Sequence, residues 1–306
     1  MSLLSMFKGK GPSGFGYGST AEDVTKGLDL TGRTILLTGC NSGIGKETLR
    51  VLAKRGAHVI AAARTVEKAQ AACDEVVGET TPVACELSDP ASVRACAEKV
   101  TALGRPLDAI ICNAGIMALP KLRKQHGYEL QFFTNHVGHF LLVTSLLDVL
   151  AENGRVVMVS SEAHKRAPSA GIEFDNLDCS RGYDPWASYG QSKLANHLFA
   201  KELGKRFAGT SKTANSLHPG VIRTNLTRSM NPIAGVAMSI GSPLVLKSIP
   251  QGAATQCYVA VHPDVAGANG KYFADCNESY TSRHGRDDEM AAKLWDVSEQ
   301  IVAEVS

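Results

Sequence analysis

The sequence lacks the features that mark membrane-spanning, secreted and polyanion-binding proteins. Its 32 lysines and arginines nearly balance 30 aspartates and glutamates, and the net charge of +2 is too small for the electrostatic field that nucleic-acid binding uses. The apolar stretch at the N-terminus is shorter than a secretory signal requires, and no apolar run reaches the about 20 residues of a membrane helix. We therefore expect a cytoplasmic protein without a nucleic-acid partner, and an organelle such as a plastid stays open as its location.

Cysteine pairs of the CxxC type are also missing, although the chain has eight cysteines. The cysteines are scattered through apolar contexts, which is typical of reduced, buried thiols in a reducing compartment. His136 and His139 have a spacing that could bind a metal ion on a helix, but no matched cysteine or carboxylate completes a site. We expect neither disulfides nor a metal site.

Short β-rich runs alternate with longer segments of helical periodicity from residue 34 onward. The predicted strands are 34–38, 58–62, 82–85, 107–112, 155–160 and 212–217. The predicted helices are 43–55, 66–77, 90–101, 128–150 and 189–207. Because the strands are apolar without alternation, they predict an α/β fold with a single doubly wound parallel sheet, a Rossmann fold, and helices on both faces. This domain is predicted to span residues 29–306, preceded by a flexible extension, residues 1–28.

Two segments depart from this alternation and could cover a ligand, because each follows the carboxyl end of a strand: residues 162–188 and 226–250. The apolar run 233–246, interrupted by glycine and proline, favours a hydrophobic lid over a membrane-surface contact, and either role indicates an apolar substrate. The helices 128–150 and 189–207 would be apolar whether they met only the sheet or also a partner, so a homodimer stays open.

A glycine-rich turn joins the first predicted strand to the first helix, with the sequence TGCNSGIG at 38–45. Glycines with the spacing GxxxGxG allow the backbone to approach a pyrophosphate, whose charge then lies at the helix N-terminus. For Cys40 in this turn, an inert small residue is favoured over a redox-sensitive thiol. The predicted phosphate-binding residues are Gly39, Asn41, Ser42, Gly43, Ile44 and Gly45.

The end of the second predicted strand indicates which dinucleotide is bound. NAD sites usually carry a carboxylate there for the ribose 2′-hydroxyl, but this sequence has Ala63 followed by Arg64. A guanidinium is a suitable donor for a 2′-phosphate. The sequence therefore predicts NADP (NADPH), unless Arg64 is only a solvated residue at a helix start.

The motif YGQSK places Tyr189 and Lys193 four residues apart, hence on one face of a helix. A free tyrosine has a pKa near about 10 and is a poor proton shuttle at neutral pH. Lys193 favours the phenolate, so we expect it to lower the pKa of Tyr189 and to make that residue a general acid or base. Ser161, at the end of the fifth strand, could stabilise charge on a substrate oxygen.

Six motifs in this order resemble the short-chain dehydrogenase/reductase family: TGCNSGIG, NAG at 113–115, TNHVGHF around Asn135, VMVSSEAH around Ser161, YGQSK, and HPGVIRT at 218–224. Each motif alone could have a purely structural role, but their joint occurrence favours a site. SSEAH and the ending KLWDVSEQIV are similar to the retinol-dehydrogenase-like subset. The resemblance implies an NADP-dependent oxidoreductase, such as a carbonyl reductase, that interconverts a carbonyl and an alcohol on a lipophilic small molecule. Its catalytic tetrad would be Asn135, Ser161, Tyr189 and Lys193.

The resemblance also implies further cofactor contacts. Tyr189 and Lys193 would contact the cofactor, with Lys193 at the nicotinamide ribose, and Asn135 would support a water-linked proton path to Lys193. The family more often has aspartate at the position of Glu86. Glu86 and Leu87 would contact the adenine side, whereas Ile222 and Thr224 would hold the nicotinamide carboxamide and phosphate region. The remaining implied cofactor residues are Asn113 and Gly115, which would line the cleft, and Pro219 and Gly220.

Two alternative functions stay open. The phrases SGFGYGSTAEDVTKG and GKYFADCNES also resemble plant and algal members associated with chloroplast protein import, for which an NADP-sensing interaction role is the alternative. A protochlorophyllide-reductase-like enzyme ranks lower, because the sequence has no long insertion after the sixth predicted strand.

Overall fold

One large sheet organises the protein in the computed structural model, which describes residues 9–222 and 246–305. The strands are β1 Thr34–Thr38, β2 His58–Ala63, β3 Thr80–Ala84, β4 Leu107–Cys112, β5 Lys124–Gln125, β6 Tyr128–Glu129, β7 Leu150–Val159, β8 Thr213–His218, β9 Tyr272–Ala274 and β10 Asn277–Glu278. In the large sheet they lie in the order β3-β2-β1-β4-β7-β8-β9-β10, and they are parallel except for the last, which is antiparallel to β9. This order confirms the predicted doubly wound α/β fold. A separate small sheet is formed by β5 and β6.

Helices cover both faces of the large sheet, and several begin where the sequence supplies a cap. Asp184 accepts hydrogen bonds from the backbone of Trp186 and Ala187, and Pro185 occupies the first helical position. These two features start the YGQSK helix at residue 185, earlier than predicted. The described α-helices are α1 Ala21–Val24, α2 Gly43–Lys54, α3 Val66–Cys73, α4 Pro90–Ala102, α5 Leu130–Phe132, α6 Gly138–Thr144, α7 Pro185–Arg206, α8 Ile249–Val261 and α9 Asp288–Glu304.

The prediction of one continuous helix over 128–150 is wrong. The segment begins with β6, and the buried carboxylate of Glu129 then caps α5 by accepting a hydrogen bond from Phe132 N (2.8 Å). A π-helical turn, Phe133–Val137, separates α5 from α6. After α6 ends at Thr144, β7 starts at Leu150, so this strand is longer than predicted. π-Helical turns such as Phe133–Val137 often occur at functional sites.

The segments proposed to cover a ligand are described in part. Residues 162–188 contain a 3-10 helix, Glu162–Arg166, and the start of α7. Residues 226–245, with most of the predicted lid and of the apolar run 233–246, lie outside the described residues. Of the remainder, Lys247 pairs with Ile222 in a β-bridge, and α8 already begins at Ile249.

The prediction of a flexible extension is wrong for residues 9–28, which pack on the domain. Asn277 accepts a hydrogen bond from Ser13 N (3.0 Å) and donates one to Phe15 O (3.1 Å). The Phe15 ring meets Tyr258 and His262 edge-on, with centroids 5.7 and 5.5 Å apart. The next element, α1, packs on α2 and α8. These contacts bury apolar surface that the glycine-rich composition does not reveal.

Part of the apolar surface of α6 and α7 is covered within the chain by α9. Trp295 of α9 stacks on Phe199 of α7 (5.7 Å between centroids) and meets Phe140 of α6 edge-on (5.0 Å). The Arg206 guanidinium lies 4.0 Å from the centre of the Trp295 ring. Part of the apolar surface that could have formed a homodimer interface is therefore covered by α9 of the same chain. The helices within residues 9–222 and 246–305 include none with the length and hydrophobicity of a transmembrane span.

Candidate active site

The carboxyl ends of the central parallel strands bring the predicted site residues to one edge of the sheet. Ser161 follows β7, while Tyr189 and Lys193 lie on α7, which packs along β7 and β8. Asn135 lies in the π-helical turn. The structure thus gathers the four residues of the predicted tetrad from three separate elements.

The glycine-rich turn forms a backbone cradle that fits a dinucleotide phosphate. Gly39 has a positive φ of 70°, which favours glycine. A Cβ on Gly45 would lie 2.1 Å from the Gly39 carbonyl oxygen. At the start of α2, Ser42 makes no side-chain capping hydrogen bond, and Asn41 and Ser42 are exposed. The first N–H groups of α2 therefore suit an anionic ligand.

Cys40 in the same turn is fully buried. Burial raises the pKa of its thiol to about 12, which agrees with an inert residue rather than a reactive one. All eight cysteines are buried and free.

The NAG segment lines the cleft beside this turn. Asn113 Nδ2 donates a hydrogen bond to Thr38 O (2.8 Å), whereas Asn113 Oδ1 is buried and has no hydrogen-bond partner among the described residues. Such an orphan acceptor fits a sugar hydroxyl. A Cβ on Gly115 would lie 3.0 Å from Asn135 Oδ1 and 3.4 Å from Lys193 Nζ, so the backbone at Gly115 packs closely against these two side chains.

Asn135 is fully buried, and its amide ties the NAG segment to α7. Its Nδ2 donates to Ile116 O and to Ser192 Oγ, both at 2.9 Å, and its Oδ1 accepts from Ile116 N at 2.8 Å. Ser192 Oγ in turn donates to Tyr189 O (2.8 Å). The Asn135 side chain therefore links the segment after NAG to the part of α7 that carries Tyr189.

Burial dominates the acid–base properties of Tyr189 and Lys193. It lowers the pKa of Lys193 to about 8 and raises that of Tyr189 to about 12, although a hydrogen bond with Ser161 acts in the opposite direction. Lys193 Nζ lies 5.8 Å from the centre of the Tyr189 ring. The expected net decrease in the pKa of Tyr189 is therefore not observed, because desolvation of the phenolate outweighs the stabilisation that a nearby ammonium can give. At neutral pH, Tyr189 is a neutral phenol that can donate a proton.

Two histidines that sequence reasoning did not assign to the site fix the segment around Ser161. His164 Nδ1 donates to Ser161 O (2.7 Å), and His164 Nε2 accepts from Ser282 N (3.0 Å). His218, the last residue of β8, accepts a hydrogen bond from Glu162 N (3.2 Å). Burial lowers the pKa of both imidazoles. The membership of His164 in the SSEAH motif was the sequence signal that could have assigned it to the site.

The predicted adenine side of the site is only partly organised for a ligand. Ala63 is buried at the end of β2, and Arg64 directly after it is exposed. The Glu86 carboxylate accepts hydrogen bonds from Ser88 N (3.1 Å) and Ser88 Oγ (2.9 Å), so it caps its own turn. Leu87 is buried.

The predicted nicotinamide side follows β8. Pro219 and Gly220 lie directly after this strand, and Ile222 forms the β-bridge with Lys247. Thr224 lies outside the described residues.

Lys247 supports this loop and was missed by sequence reasoning. Its side chain is 1% exposed, and its Nζ lies 2.6 Å from an Asp275 carboxylate oxygen and 5.0 Å from the centre of the Tyr17 ring. A Cβ on Gly220 would lie 2.5 Å from Lys247 Cδ. No local pattern marks Lys247, because its partners are far apart in sequence.

The two histidines considered as metal ligands have different partners. His136 Nε2 lies 2.7 Å from Ser298 Oγ in α9, whereas His139 bonds Asn135 O and Thr38 Oγ1. Across the described ranges, no three histidine, cysteine, aspartate or glutamate side chains are grouped to hold a metal ion.

Similarity to curated proteins agrees with this arrangement. The family model "short chain dehydrogenase" matches residues 33–174. Short-chain dehydrogenase TIC 32 B, chloroplastic, of Brassica napus is 43% identical over 99% of both chains. Retinol dehydrogenase 12 of Mus musculus is 39% identical over 91% of this chain and 89% of its own length.

Solved structures show the same fold. A protein from Mycobacterium Paratuberculosis has a TM-score of 0.76 at 35% identity, over 94% of this chain and 98% of that chain. The angucycline C-6 ketoreductase LanV with bound NADP has a TM-score of 0.66 at 24% identity, over 81% of this chain and 95% of that chain, and at this identity it supports the fold alone. Together with the full-length relatives, these similarities show that the chain belongs to the short-chain dehydrogenase/reductase family and is similar to its retinol dehydrogenases.

Proposed function

We propose that this chain is an NADP-dependent oxidoreductase that interconverts a carbonyl and an alcohol on a lipophilic small molecule. One observation carries the proposal: the Tyr189 phenol is buried beside Ser161, with the Lys193 ammonium on the same face of α7. A proton donor, a second hydrogen-bonding hydroxyl and a nearby cation are what reduction of a carbonyl needs at the oxygen.

The cofactor would be held by the backbone cradle of residues 39–45, the orphan Asn113 Oδ1 and the loop after β8. Arg64 would bind the 2′-phosphate, because a guanidinium forms strong charge-assisted hydrogen bonds with phosphate oxygens. When bound, the nicotinamide supplies the hydride, and this chemistry belongs to the cofactor.

The protein residues act on the substrate oxygen. Ser161 donates a hydrogen bond to that oxygen, and the Tyr189 phenol gives it a proton during reduction. The Lys193 ammonium stabilises the phenolate that remains, since an opposite charge nearby favours the ionised form. Asn135 keeps α7 aligned with the cleft through Ile116 and Ser192. Because Tyr189 is protonated at neutral pH, the site is prepared for reduction.

An apolar substrate is supported by the loop that follows β8. Val221 is 50% exposed and Ile249 is 38% exposed, and both lie next to the bridge between Ile222 and Lys247. Exposed aliphatic side chains beside the proposed nicotinamide site suit a lipophilic ligand. The similarity to retinol dehydrogenases points in the same direction.

The test is the initial rate of NADPH oxidation with a panel of retinoid-like aldehydes, steroid ketones and xenobiotic carbonyls, with NADH as the comparison. We expect turnover that prefers NADPH and falls by about 10²- to 10⁴-fold in Tyr189→Phe, the usual contribution of a positioned acid. The matched control is Tyr128→Phe, which removes a hydroxyl that bonds Glu304 away from the tetrad. Equal rates for Tyr189→Phe and Tyr128→Phe would contradict the proposal.

A second candidate is an NADP-sensing interaction role in a plastid. The 43% identity with a chloroplastic TIC 32 protein over nearly the whole chain supports it. Tight NADPH binding without turnover of any carbonyl would favour this role, and location in the cytoplasm would count against it. A protochlorophyllide-reductase-like activity is tested by adding that substrate under illumination.

A further inference from the structure

A fully buried imidazole connects the catalytic helix to the cofactor cleft. His139 lies four residues after Asn135 and has no exposed surface. Its Nδ1 lies 2.9 Å from Asn135 O, and its Nε2 lies 2.9 Å from Thr38 Oγ1. Both ring nitrogens are therefore used, one toward the π-helical turn and the other toward the end of β1.

The direction of both hydrogen bonds follows from the chemistry of the partners. A backbone carbonyl only accepts, so Nδ1 carries the proton and donates to Asn135 O. Burial lowers the pKa of His139 to about 4, which makes the ring neutral at neutral pH and leaves Nε2 as an acceptor. The Thr38 hydroxyl must then donate to Nε2. This assignment selects the Nδ1–H tautomer of His139.

Thr38 continues the connection into the NAG segment. Its Oγ1 accepts hydrogen bonds from Asn113 N and Ala114 N, both at 3.0 Å. Its other nearby acceptor, Ile111 O, is more distant at 3.4 Å. A directed chain therefore runs from the Asn113 and Ala114 amides through Thr38 and His139 to the carbonyl of Asn135.

We propose that His139 is a positioning residue for the proposed reaction, because it fixes the Asn135 backbone relative to the cofactor-binding loops. The π-helical turn departs from regular α-helical hydrogen bonding, with Gly138 N bonded to Phe133 O, so a side-chain donor helps to define where the Asn135 carbonyl lies. Asn135 in turn carries the amide that aligns α7. This inference rests on the proposed function and assigns a role that the tetrad does not include.

His136 provides a matched control on the same turn. It is also fully buried, but its Nε2 bonds Ser298 Oγ in α9, away from Thr38 and the NAG segment. A substitution of His136 therefore disturbs the core to a similar extent without touching the chain of hydrogen bonds.

The test separates the two bonds of His139. His139→Gln keeps an amide near the position of Nε2 but loses the donor to Asn135 O, whereas His139→Asn keeps a donor near the position of Nδ1. We expect His139→Gln to lower kcat by about 10- to 100-fold, with the Kd for NADPH changed by less than about threefold, as for a misplaced catalytic group. His139→Asn should recover most of this loss, and His136→Asn should lower Tm with kcat within about twofold of the native value.

Two kinetic outcomes would overturn the proposal. One is a folded His139→Gln variant with native kcat. The other is an equal loss of kcat in His139→Gln and His139→Asn, which would indicate a packing effect alone.

A readout without substrate separates this inference from the proposed function. Nitrogen-15 NMR of labelled histidine distinguishes the two neutral tautomers, and the His139 signals are those missing from the His139→Gln spectrum. We expect an Nδ1–H tautomer whose Nε2 resonance shifts in Thr38→Val and is retained in Thr38→Ser. An Nε2–H tautomer would overturn the inference, whereas a lack of turnover in the native chain with the expected tautomer would contradict only the proposed function.

Discussion

The side-chain nitrogen of Lys193 donates a hydrogen bond of 2.9 Å to the backbone carbonyl of Val159, the last residue of β7. The position of the ammonium is thus set by the sheet, one residue before the two serines that follow the strand. Burial lowers the pKa of Lys193 to about 8. The charge of this residue therefore changes within a pH range that an activity assay can cover.

We expect NADPH-dependent carbonyl reduction to fall as the pH rises through about 8, because the neutral amine no longer stabilises the Tyr189 phenolate. Above this pKa the rate should fall about tenfold per pH unit, as for loss of one essential proton. The measurement is the pH dependence of kcat/KM. In Lys193→Arg the decrease of kcat/KM at high pH should be absent, since a guanidinium stays charged. A native profile that is flat from neutral pH to pH values well above this pKa would contradict the assignment.

Arg64 should determine the preference for NADPH. In Arg64→Ala the Kd for NADPH should rise by about 10- to 100-fold, because charge-assisted hydrogen bonds to the 2′-phosphate, each worth about 1.5–3 kcal/mol, are lost. The Kd for NADH should stay nearly constant. Fluorescence titration measures both values, and Lys99→Ala, an exposed cation on α4, is the control. Equal effects on the two cofactors would show that Arg64 does not read the phosphate.

Gly45→Ala should disrupt the phosphate cradle. The added Cβ would lie 2.1 Å from Gly39 O and 2.6 Å from Asn113 Nδ2, so the backbone must move. We expect a loss of about 1–3 kcal/mol in the free energy of unfolding together with weaker NADPH binding, measured by urea denaturation and titration. Gly267→Ala is the control, since a Cβ there meets no atom within 4 Å. Native NADPH affinity in Gly45→Ala would argue against a cofactor role for this turn.

Acid should destabilise the fold through its buried histidines. Burial lowers their pKa from 6.5 to about 3 for His136 and to about 4 for His139, His197 and His218. Below pH 6.5 these histidines bind protons in the unfolded chain but stay neutral in the folded chain. The free energy of unfolding therefore decreases as the pH falls toward about 4. Each of these histidines lowers the free energy of unfolding by up to about 1.4 kcal/mol for each pH unit of acidification.

The measurement for this prediction is the free energy of unfolding by urea at a series of pH values. His136→Asn should reduce the slope of stability against pH by one proton, because asparagine does not titrate. An unchanged slope in this variant would show that His136 is already protonated in the folded chain.

The sheet was predictable because its strands carry a local signal. β1 and β4 have the predicted bounds, Thr34–Thr38 and Leu107–Cys112, since a short apolar run without alternation is typical of a parallel strand that is buried on both faces. The break in the helix predicted at 128–150 was harder to predict from the sequence. The start of the helical part at Leu130 depends on the buried cap formed by Glu129, and a carboxylate near a helix start is common in sequences that do not bury it.

The site was predictable as far as its motifs reach. The motifs predicted that Ser161, Tyr189 and Lys193 lie close together, and they do, whereas their catalytic roles stay a prediction. The direction of the Tyr189 pKa shift depends on burial, which the spacing of two residues does not contain. The partners of His139 and Lys247 were also hidden. Thr38 and Asp275 lie far from them in sequence, and only the folded chain brings these groups into contact.

The hydrogen bonds between Asn277 and the Ser13–Phe15 region have a consequence for protein synthesis. Ribosomes add roughly 5–20 residues per second, and 264 positions separate Ser13 from Asn277. The N-terminal segment therefore waits roughly 10–50 s for its partner to be made. During that time Phe15 lacks the surface of Tyr258 and His262 that later covers it, so the nascent chain exposes this apolar segment to chaperones until translation is nearly complete.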